Sequence, residues 1–209
     1  MAILVGKKAP LFEEDAVVNG GEFVEKFSLE QYIGKKHVVF FFYPLNFTAV
    51  SPTEILAFHD RMEEFDSRNV AVVGCSVDSK FSHKAWLGTP REKGGIHGVT
   101  FPLISDLSKT IAQNYFVLAG DYHYNEEDET EFHGEPVAYR GLFLIDKQGV
   151  VRHQVVNDLP LGRSITETLR MVDALQHFED TGDLSPAEWQ PGKEAIHTDE
   201  DGNTNYFDK

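Results

Sequence analysis

The chain has 209 residues, of which 41% are hydrophobic and 25% charged, and its formal net charge is −15 at pH 7. This length and composition suit one compact α/β domain with a tail. The acidic balance argues against nucleic acid or an anionic membrane as the main partner, since both are themselves anionic. The N-terminus holds only a four-residue apolar run, and Cys75 is the single cysteine. We therefore expect no secretory signal, no membrane span and no intrachain disulfide, and we expect the protein in the cytoplasm.

The first strong structural signal is the continuous apolar run 38–42, which predicts a buried central strand. Pro44 then interrupts strand pairing. Residues 51–54, Ser-Pro-Thr-Glu, predict a helix start with Ser51 as N-cap and Glu54 completing a capping box. Apolar residues spaced by three and four through residues 55–65 predict that one amphipathic helix follows.

The later elements alternate between strand and helix patterns. They are a strand at 70–77, a short helix at 82–87, a glycine-rich loop at 94–98, a short strand at 101–104, a helix at 107–115, strands at 141–145 and 150–156 around a hairpin turn, and an amphipathic helix at 165–178. This order predicts a mixed sheet covered by helices on both faces. From residue 179 the chain turns polar. We therefore divide it into a domain at 1–178 and a C-terminal arm at 179–209.

Residues 42–54 carry a specific pattern: Pro44, three residues, Thr48, two residues, position 51, then Pro-Thr-Glu. This pattern resembles the active-site segment of the peroxiredoxins, except that position 51 is serine where that family has its peroxidatic cysteine. The resemblance continues in order through residues 83–86, 139–146, 157–164 and 182–189, so it covers nearly the whole chain. The chain is identified as similar to the typical two-cysteine peroxiredoxins, which implies a thioredoxin-like fold and a thiol-dependent peroxidase.

The resemblance also implies a site. Ser51 and Ser185 stand at the peroxidatic and resolving positions. Arg140 and Arg163 are the cationic partners, and Glu54 orients them. Thr48 supplies a hydroxyl that bonds the peroxide and the nucleophile, and Pro44 shields the site. No cofactor and no metal is implied.

The family's cycle implies peroxide as substrate and a thioredoxin-type protein or a flavoprotein as electron donor. The resolving position belongs to the partner subunit, which implies a homodimer, and such dimers assemble further into a ring decamer. Serine has no sulfenic state at ordinary potentials and its hydroxyl is far less acidic than a thiol. We therefore predict no peroxidase turnover for this sequence. The intact surroundings of both serines favour a deliberate double substitution over a natural pseudo-enzyme.

Two other functions remain open as alternatives. A serine hydrolase would need a histidine base beside Ser51, but His59 lies two helical turns away and the sequence lacks Gly-x-Ser-x-Gly. A non-catalytic ring that acts as a chaperone-like scaffold is the second alternative. Composition and helix patterns do not separate it from the enzyme.

Several further features need an interpretation. Cys75 lies in an apolar strand, where a cysteine usually behaves as a small buried hydrophobe. Residues 120–136 look like an insertion relative to the family, and His123 and His133 flank its acidic run. A metal site there is conceivable, but the spacing favours a solvated loop. The 94–98 loop and Tyr206-Phe207 (positions 206–207) resemble features of the peroxiredoxins that their own substrate over-oxidises.

Overall fold

The structure is a computed structural model that describes residues 3–199, 206 and 207. The chain divides into two compact units, Met1–Arg163 and Ser164–Lys209. Every residue predicted for the active site except Ser185 lies in the first unit. None of the helices in the described part of the chain is both long and apolar enough to cross a membrane.

Within the described residues, the first unit contains nine strands and four α-helices. The strands are β1 (Glu14–Val18), β2 (Glu22–Phe27), β3 (His37–Phe42), β4 (Val70–Ser76), β5 (Leu103–Ser105), β6 (Asp121–Tyr124), β7 (Thr130–His133), β8 (Arg140–Ile145) and β9 (Val151–Asn157). The helices are α1 (Ser51–His59), α2 (Met62–Ser67), α3 (Lys80–Gly88) and α4 (Thr110–Asn114), with short 3-10 helices at Leu29–Tyr32 and Arg91–Lys93. The second unit contains α5 (Ile165–Thr181).

Seven of the strands form one sheet in the order β2-β1-β5-β4-β3-β8-β9. The β3–β4 and β4–β5 pairs are parallel, whereas all other neighbours in this sheet are antiparallel. The predicted α/β class with a mixed central sheet is therefore confirmed. Because β3 and β4 run in parallel, the loops that follow them emerge at the same edge of the sheet.

The predicted central strand β3 is buried along its whole length. Its side chains alternate between the two faces of the sheet. Phe40 and Phe42 pack against the ring of Tyr115, with ring centroids 5.0 and 5.3 Å apart. Phe41 faces the other way and stacks on Phe58 of α1 at 4.5 Å. Each buried phenylalanine contributes roughly 1.5–3 kcal/mol to folding, so β3 and α1 are held together close to the point where the chain leaves the sheet.

The region after β3 differs from its prediction in two ways. The N-cap of α1 is Val50, and Ser51 is the first helical residue, so the predicted serine cap and capping box are wrong. The physical reason is that the Ser51 hydroxyl accepts from Thr48 and Arg140, while the Glu54 carboxylate accepts from Arg140 and Arg163, so neither side chain caps the helix. The single helix predicted over 55–65 is in fact α1 and α2, which separate at Asp60 and Arg61.

The two predicted β8 and β9 strands form the expected hairpin. The Asp146 carboxylate shapes its turn by accepting hydrogen bonds from the backbone N–H groups of Gln148 and Val150 at 2.9 and 2.8 Å. The insertion is exposed to solvent as expected, but it is not a loop, because β6 and β7 pair as a second hairpin. Neither these strands nor β1 and β2 were predicted.

The second unit begins with α5, whose N-cap Ser164 accepts a hydrogen bond from the Glu167 N–H at 3.2 Å. After α5 ends, Leu184 pairs with Ile196 through two backbone hydrogen bonds of 2.8 Å. The indole ring of Trp189 stacks on His177 of α5 with centroids 4.7 Å apart. The residues that follow α5 therefore fold back along it within this unit.

Candidate active site

The loop between β3 and α1 is held by a buried polar network centred on Asn46. The backbone N–H of Asn46 donates to the Asp78 carboxylate at 2.8 Å. Its side-chain oxygen accepts from the Tyr43 hydroxyl at 3.0 Å, and its amide donates to Ser82 Oγ at 2.9 Å. His83 Nδ1 lies 3.1 Å from the same amide nitrogen. These contacts tie the loop to α3 and to the segment that follows β4.

His83 enters this network as a neutral imidazole. Its Nε2 lies 3.0 Å from the carbonyl oxygen of Ile104. A carbonyl can only accept, so Nε2 carries the proton and Nδ1 is left as an acceptor facing Asn46. Burial lowers the pKa of His83 below its usual value, which agrees with this neutral state.

Ser51 is completely buried at the first position of α1. The Thr48 hydroxyl lies 2.7 Å from Ser51 Oγ and 3.0 Å from the carbonyl oxygen of Leu45. Since it has one proton, Thr48 donates to only one of these at a time. The Arg140 guanidinium donates to Ser51 Oγ at 3.4 Å from the other side. The position that the sequence singled out is therefore contacted by a hydroxyl, a guanidinium and the N-terminal end of a helix.

Glu54 lies one helical turn after Ser51 and joins both predicted arginines. Its Oε2 accepts from Arg140 at 2.8 Å and from Arg163 at 3.0 Å. Its Oε1 accepts from both the backbone N–H and the Nε of Arg163, each at 2.8 Å. Burial by itself would raise the pKa of Glu54, but the hydrogen bonds and charges of the two arginines outweigh it and hold that pKa below its usual value.

Each arginine is also fixed by a backbone carbonyl. Arg140 Nε donates to the Leu159 carbonyl at 2.6 Å, and Arg163 donates to the Gly141 carbonyl at 2.5 Å. The Arg163 guanidinium also lies over the Phe41 ring, 5.2 Å from its centroid. Arg163 thus contacts Glu54 rather than Ser51, so it acts on the site by positioning the acid.

The electrostatics of the cluster favour an anion at position 51. Two guanidinium groups face one carboxylate, and the side chains of all three are about 97% buried or more. One positive charge is left in excess, and the N-terminal end of α1 adds a partial positive charge. A negatively charged atom at the position of Ser51 Oγ would therefore be stabilised, as the resemblance implies for a thiolate.

The remaining predicted residues lie as follows. Pro44 is buried in the loop that carries Thr48, directly after Tyr43. Ser185 lies in the second unit, where its Oγ is buried without a hydrogen-bond partner among the described residues. Cys75 is buried in β4, as expected, and burial raises the pKa of its thiol well above the usual value.

No metal site emerges near either histidine of the insertion. The rings of His123 and His133 lie 5.1 Å apart at right angles. Among residues 3–199, 206 and 207, no three side chains of the ligand types histidine, cysteine, aspartate and glutamate come together in a way that could hold an ion.

Comparison with known proteins agrees with this geometry. A sequence profile described as the AhpC/TSA family matches residues 5–154, and a second, described as the C-terminal domain of 1-Cys peroxiredoxin, matches residues 174–209. The chain belongs to the peroxiredoxin family.

Relatives support the same assignment across the full length of this peroxiredoxin. It is 49% identical over 205 residues to peroxiredoxin-4 of Rattus norvegicus, covering 98% of this chain and 69% of the relative. It is 46% identical to peroxiredoxin-2 of Mus musculus, covering 98% and 96%. The crystal structure of reduced Plasmodium vivax 2-Cys peroxiredoxin superimposes with a TM-score of 0.87 at 43% identity, covering 100% of both chains. The thioredoxin-like fold is confirmed.

Sequence reasoning did not assign a role to Asn46, Asp78 or His83, which hold the candidate active-site loop in place. A signal for two of them was present. Asn46 lies between Leu45 and Phe47, and Asp78 follows the apolar strand pattern of residues 70–77, so burial there requires a hydrogen-bond partner; His83 carries no such signal. Which partner each one takes depends on the packing of α3 against the strands, and local sequence does not reveal it.

Proposed function

We propose that this chain is a thiol-dependent peroxidase scaffold whose chemistry requires cysteine at position 51, and that with serine at positions 51 and 185 it does not turn over peroxide. Family membership supports the peroxidase class. The observation that carries the finer proposal is the setting of Ser51 Oγ, 2.7 Å from the Thr48 hydroxyl and 3.4 Å from Arg140. This setting suits a thiolate, because it supplies two donors and excess positive charge.

With a cysteine at 51, the proposed reaction begins with thiolate attack on one oxygen of hydrogen peroxide or an alkyl hydroperoxide. A sulfur–oxygen bond forms, the O–O bond breaks, and the second oxygen takes up a proton and leaves as water or an alcohol. Thr48 donates a hydrogen bond at this oxygen pair, and Arg140 stabilises the negative charge as it moves. Glu54 and Arg163 position Arg140, and Pro44 excludes water.

The second half of the proposed cycle uses position 185 of a partner subunit. A thiol there would condense with the sulfenic acid, forming a disulfide and releasing water. A thioredoxin-type protein or a flavoprotein would then reduce that disulfide. The homodimer and the ring decamer are parts of the same proposal and rest on the resemblance. The cytoplasmic location is proposed from the single cysteine of the chain, since secreted proteins commonly carry disulfides.

The present sequence lacks both reactive groups. A helix end and one excess cation shift a pKa by a few units at most, which is far too little to ionise a serine hydroxyl at neutral pH. Cys75 cannot replace it, because burial keeps its thiol protonated. Since Cys75 is the only thiol in the chain, no residue remains to carry the reaction.

The test compares the chain as given with the Ser51→Cys, Ser185→Cys double variant. Each is mixed with hydrogen peroxide and a thioredoxin system, and NADPH loss is followed. We expect no loss above background for the given chain and sustained turnover for the double variant. Adding Cys75→Ser to the double variant is the matched control and should leave turnover unchanged. Turnover by the given chain would refute its proposed inactivity, and an inactive but folded double variant would refute the peroxidase scaffold.

We also propose that both serines are deliberate substitutions, because the rest of the site still suits a thiolate. The codons at positions 51 and 185 in the source gene decide this directly. Cysteine codons would support the proposal. Serine codons would contradict it and would favour a natural pseudo-peroxidase, whose scaffold role a client-aggregation assay would then examine.

A further inference from the structure

The inserted hairpin β6–β7 is separate from the main sheet, since its strands pair only with each other among the described residues. Its register places Tyr122 opposite Phe132 and Tyr124 opposite Thr130. Side chains alternate along a strand, so these four residues share one face of the hairpin. We call this set, Tyr122, Tyr124, Thr130 and Phe132, the aromatic face.

The aromatic face is largely uncovered. Tyr122 and Tyr124 expose 56% and 78% of their surface, and the rings of Tyr122 and Phe132 meet edge to face with centroids 5.0 Å apart. A two-stranded hairpin alone is at best marginally stable in water. Contiguous exposed aromatic surface is uncommon on soluble proteins and marks interaction sites. Tyrosine suits this role because it loses little side-chain entropy on binding.

The aromatic face continues into a groove at the base of the hairpin. The groove has a volume of about 360 Å³, and its lining combines Phe116, Leu118 and Tyr122 with the polar side chains of Gln113 and Asp121. Phe116 exposes 46% of its surface there. An apolar side chain from a partner would gain burial in this groove while its neighbours lay along the aromatic face.

The charge around the aromatic face is of one sign. Residues 120–136 contain seven carboxylates and no lysine or arginine. The carboxylates are Asp121, Glu126, Glu127, Asp128, Glu129, Glu131 and Glu135. All seven are exposed. This charge disfavours an anionic partner, and it also disfavours a second copy of the same hairpin, because two such segments would repel each other.

We propose that the hairpin binds an extended, lysine- and arginine-rich segment of another protein that carries an apolar residue. The cationic groups pair with the carboxylates of the turn and lie over the tyrosine rings, where cation–π attraction adds to charge attraction. The apolar residue enters the groove beside Phe116. This role uses none of the residues around Ser51, so it stands independently of the peroxidase proposal.

The test uses the full chain and a fluorescein-labelled ten-residue peptide that alternates arginine or lysine with valine or leucine. A peptide with glutamate in place of every cation is the matched probe. Anisotropy should show that the basic peptide binds at 20 mM salt and the acidic peptide does not. Affinity should fall at least about tenfold by 200 mM salt, because exposed charges are screened. Hydrogen exchange should slow in β6 and β7 when the basic peptide is added.

Two sets of variants locate the binding. Replacing four acids of the turn (Glu126→Gln, Glu127→Gln, Asp128→Asn, Glu129→Gln) should weaken binding about tenfold, from four exposed pairs of about 0.3–0.5 kcal/mol each. Tyr122→Ser with Tyr124→Ser should weaken it about fivefold. The control changes four exposed acids of the same unit (Glu25→Gln, Glu30→Gln, Glu63→Gln, Glu92→Gln) and should stay within twofold of the unchanged chain.

Equal weakening by the control set would overturn the proposal, since the peptide would then be sensing only the overall charge. Unchanged hydrogen exchange in β6 and β7 would overturn it as well. Sedimentation supplies a third check. If the tyrosine variants dissociate an assembly of the chain without peptide, the occupant of the aromatic face is a second copy and the proposal is wrong.

Discussion

The cluster around Ser51 and the inserted hairpin both contain several charged side chains, but the charges are buried in the first and exposed in the second. At the cluster, Glu54 is buried and its two oxygens accept four hydrogen bonds from Arg140 and Arg163. In the insertion, the seven carboxylates are exposed and no lysine or arginine of residues 120–136 is available to pair with them, although His133 Nε2 lies 3.5 Å from the Glu131 carboxylate. The charges of the first arrangement are paired within the chain, whereas those of the second stay open to solvent and carry the proposal of a basic partner.

This contrast shows how burial changes the contribution of a charged side chain to the free energy of folding. A buried carboxylate without its cations would carry a desolvation cost of several kcal/mol, so Glu54 is tightly bound to its two partners. An exposed carboxylate remains hydrated and contributes little to folding. Mutations in the two regions should therefore differ sharply in their effect on stability.

The largest difference is expected for Glu54→Gln. It leaves two buried guanidinium groups without a carboxylate, and breaking a buried pair in this way costs about 3–5 kcal/mol. Urea denaturation should show this loss in the free energy of unfolding. The matched hairpin change, Glu127→Gln, should stay within about 0.5 kcal/mol. Similar losses of unfolding free energy for Glu54→Gln and Glu127→Gln would contradict the expected difference between the buried cluster and the exposed hairpin.

In a buried carboxylate without a guanidinium partner, the pKa should shift upward, in the opposite direction to that of Glu54. Burial raises the pKa of Asp106 to about 6, although its carboxylate accepts backbone hydrogen bonds from Ile111 and Ala112. In the unfolded chain the pKa is about 3.9. Between pH 4 and 6 the folded state thus binds more protons, so the contribution of Asp106 falls as pH rises, by up to about 3 kcal/mol, and is level above pH 6.

Unfolding free energies of the unchanged chain and Asp106→Asn, measured from pH 4 to 7, would test this. Groups that titrate equally in both proteins cancel in the difference. We expect the stability of the unchanged chain relative to the variant to decrease through this window. A difference that is flat or that increases with pH would show that the two backbone hydrogen bonds, rather than burial, dominate at Asp106.

The excess positive charge at position 51 should be visible in the acidity of a thiol placed there. In Ser51→Cys with Cys75→Ser, we expect the thiol pKa at least about one unit below the free value of about 8.5. Adding Arg140→Met should raise it by about one unit, equivalent to about 1.4 kcal/mol. The pH dependence of iodoacetamide alkylation measures both. Lys7→Met, an exposed lysine, is the control and should leave the pKa unchanged; an equal rise there would contradict a local effect of Arg140.

The smallest effects are expected for tyrosines. Tyr124→Ser on the aromatic face should change the free energy of unfolding by less than about 0.5 kcal/mol. Tyr115→Phe removes a buried hydroxyl that donates to the Pro10 carbonyl at 2.9 Å, and it should cost about 1 kcal/mol. Thermal or urea unfolding distinguishes the two, and a larger loss for Tyr124→Ser would mean that the hairpin supports the main fold.

The local sequence pattern was sufficient to predict some secondary-structure elements but not others. The continuous apolar run of β3 and the turn at Asp146 carry their structure within a few residues, and both were predicted. The hairpin β6–β7 was missed because both of its faces are exposed, so no burial pattern marks the strands. The helix after Ser51 was predicted as one piece, because apolar spacing does not reveal a bend at Arg61.

By itself, the sequence determined the class of fold, because spacing and apolar runs are local properties of the chain, and its resemblance to the peroxiredoxins implied the residues from which the candidate site is built. Only the tertiary structure decided what those residues do to one another. Glu54 pairs with arginines 86 and 109 positions away instead of capping its own helix. Such contacts depend on how β8 and the segment after β9 meet α1, and the free energy of burying a charge with its partner exists only once those elements have packed together.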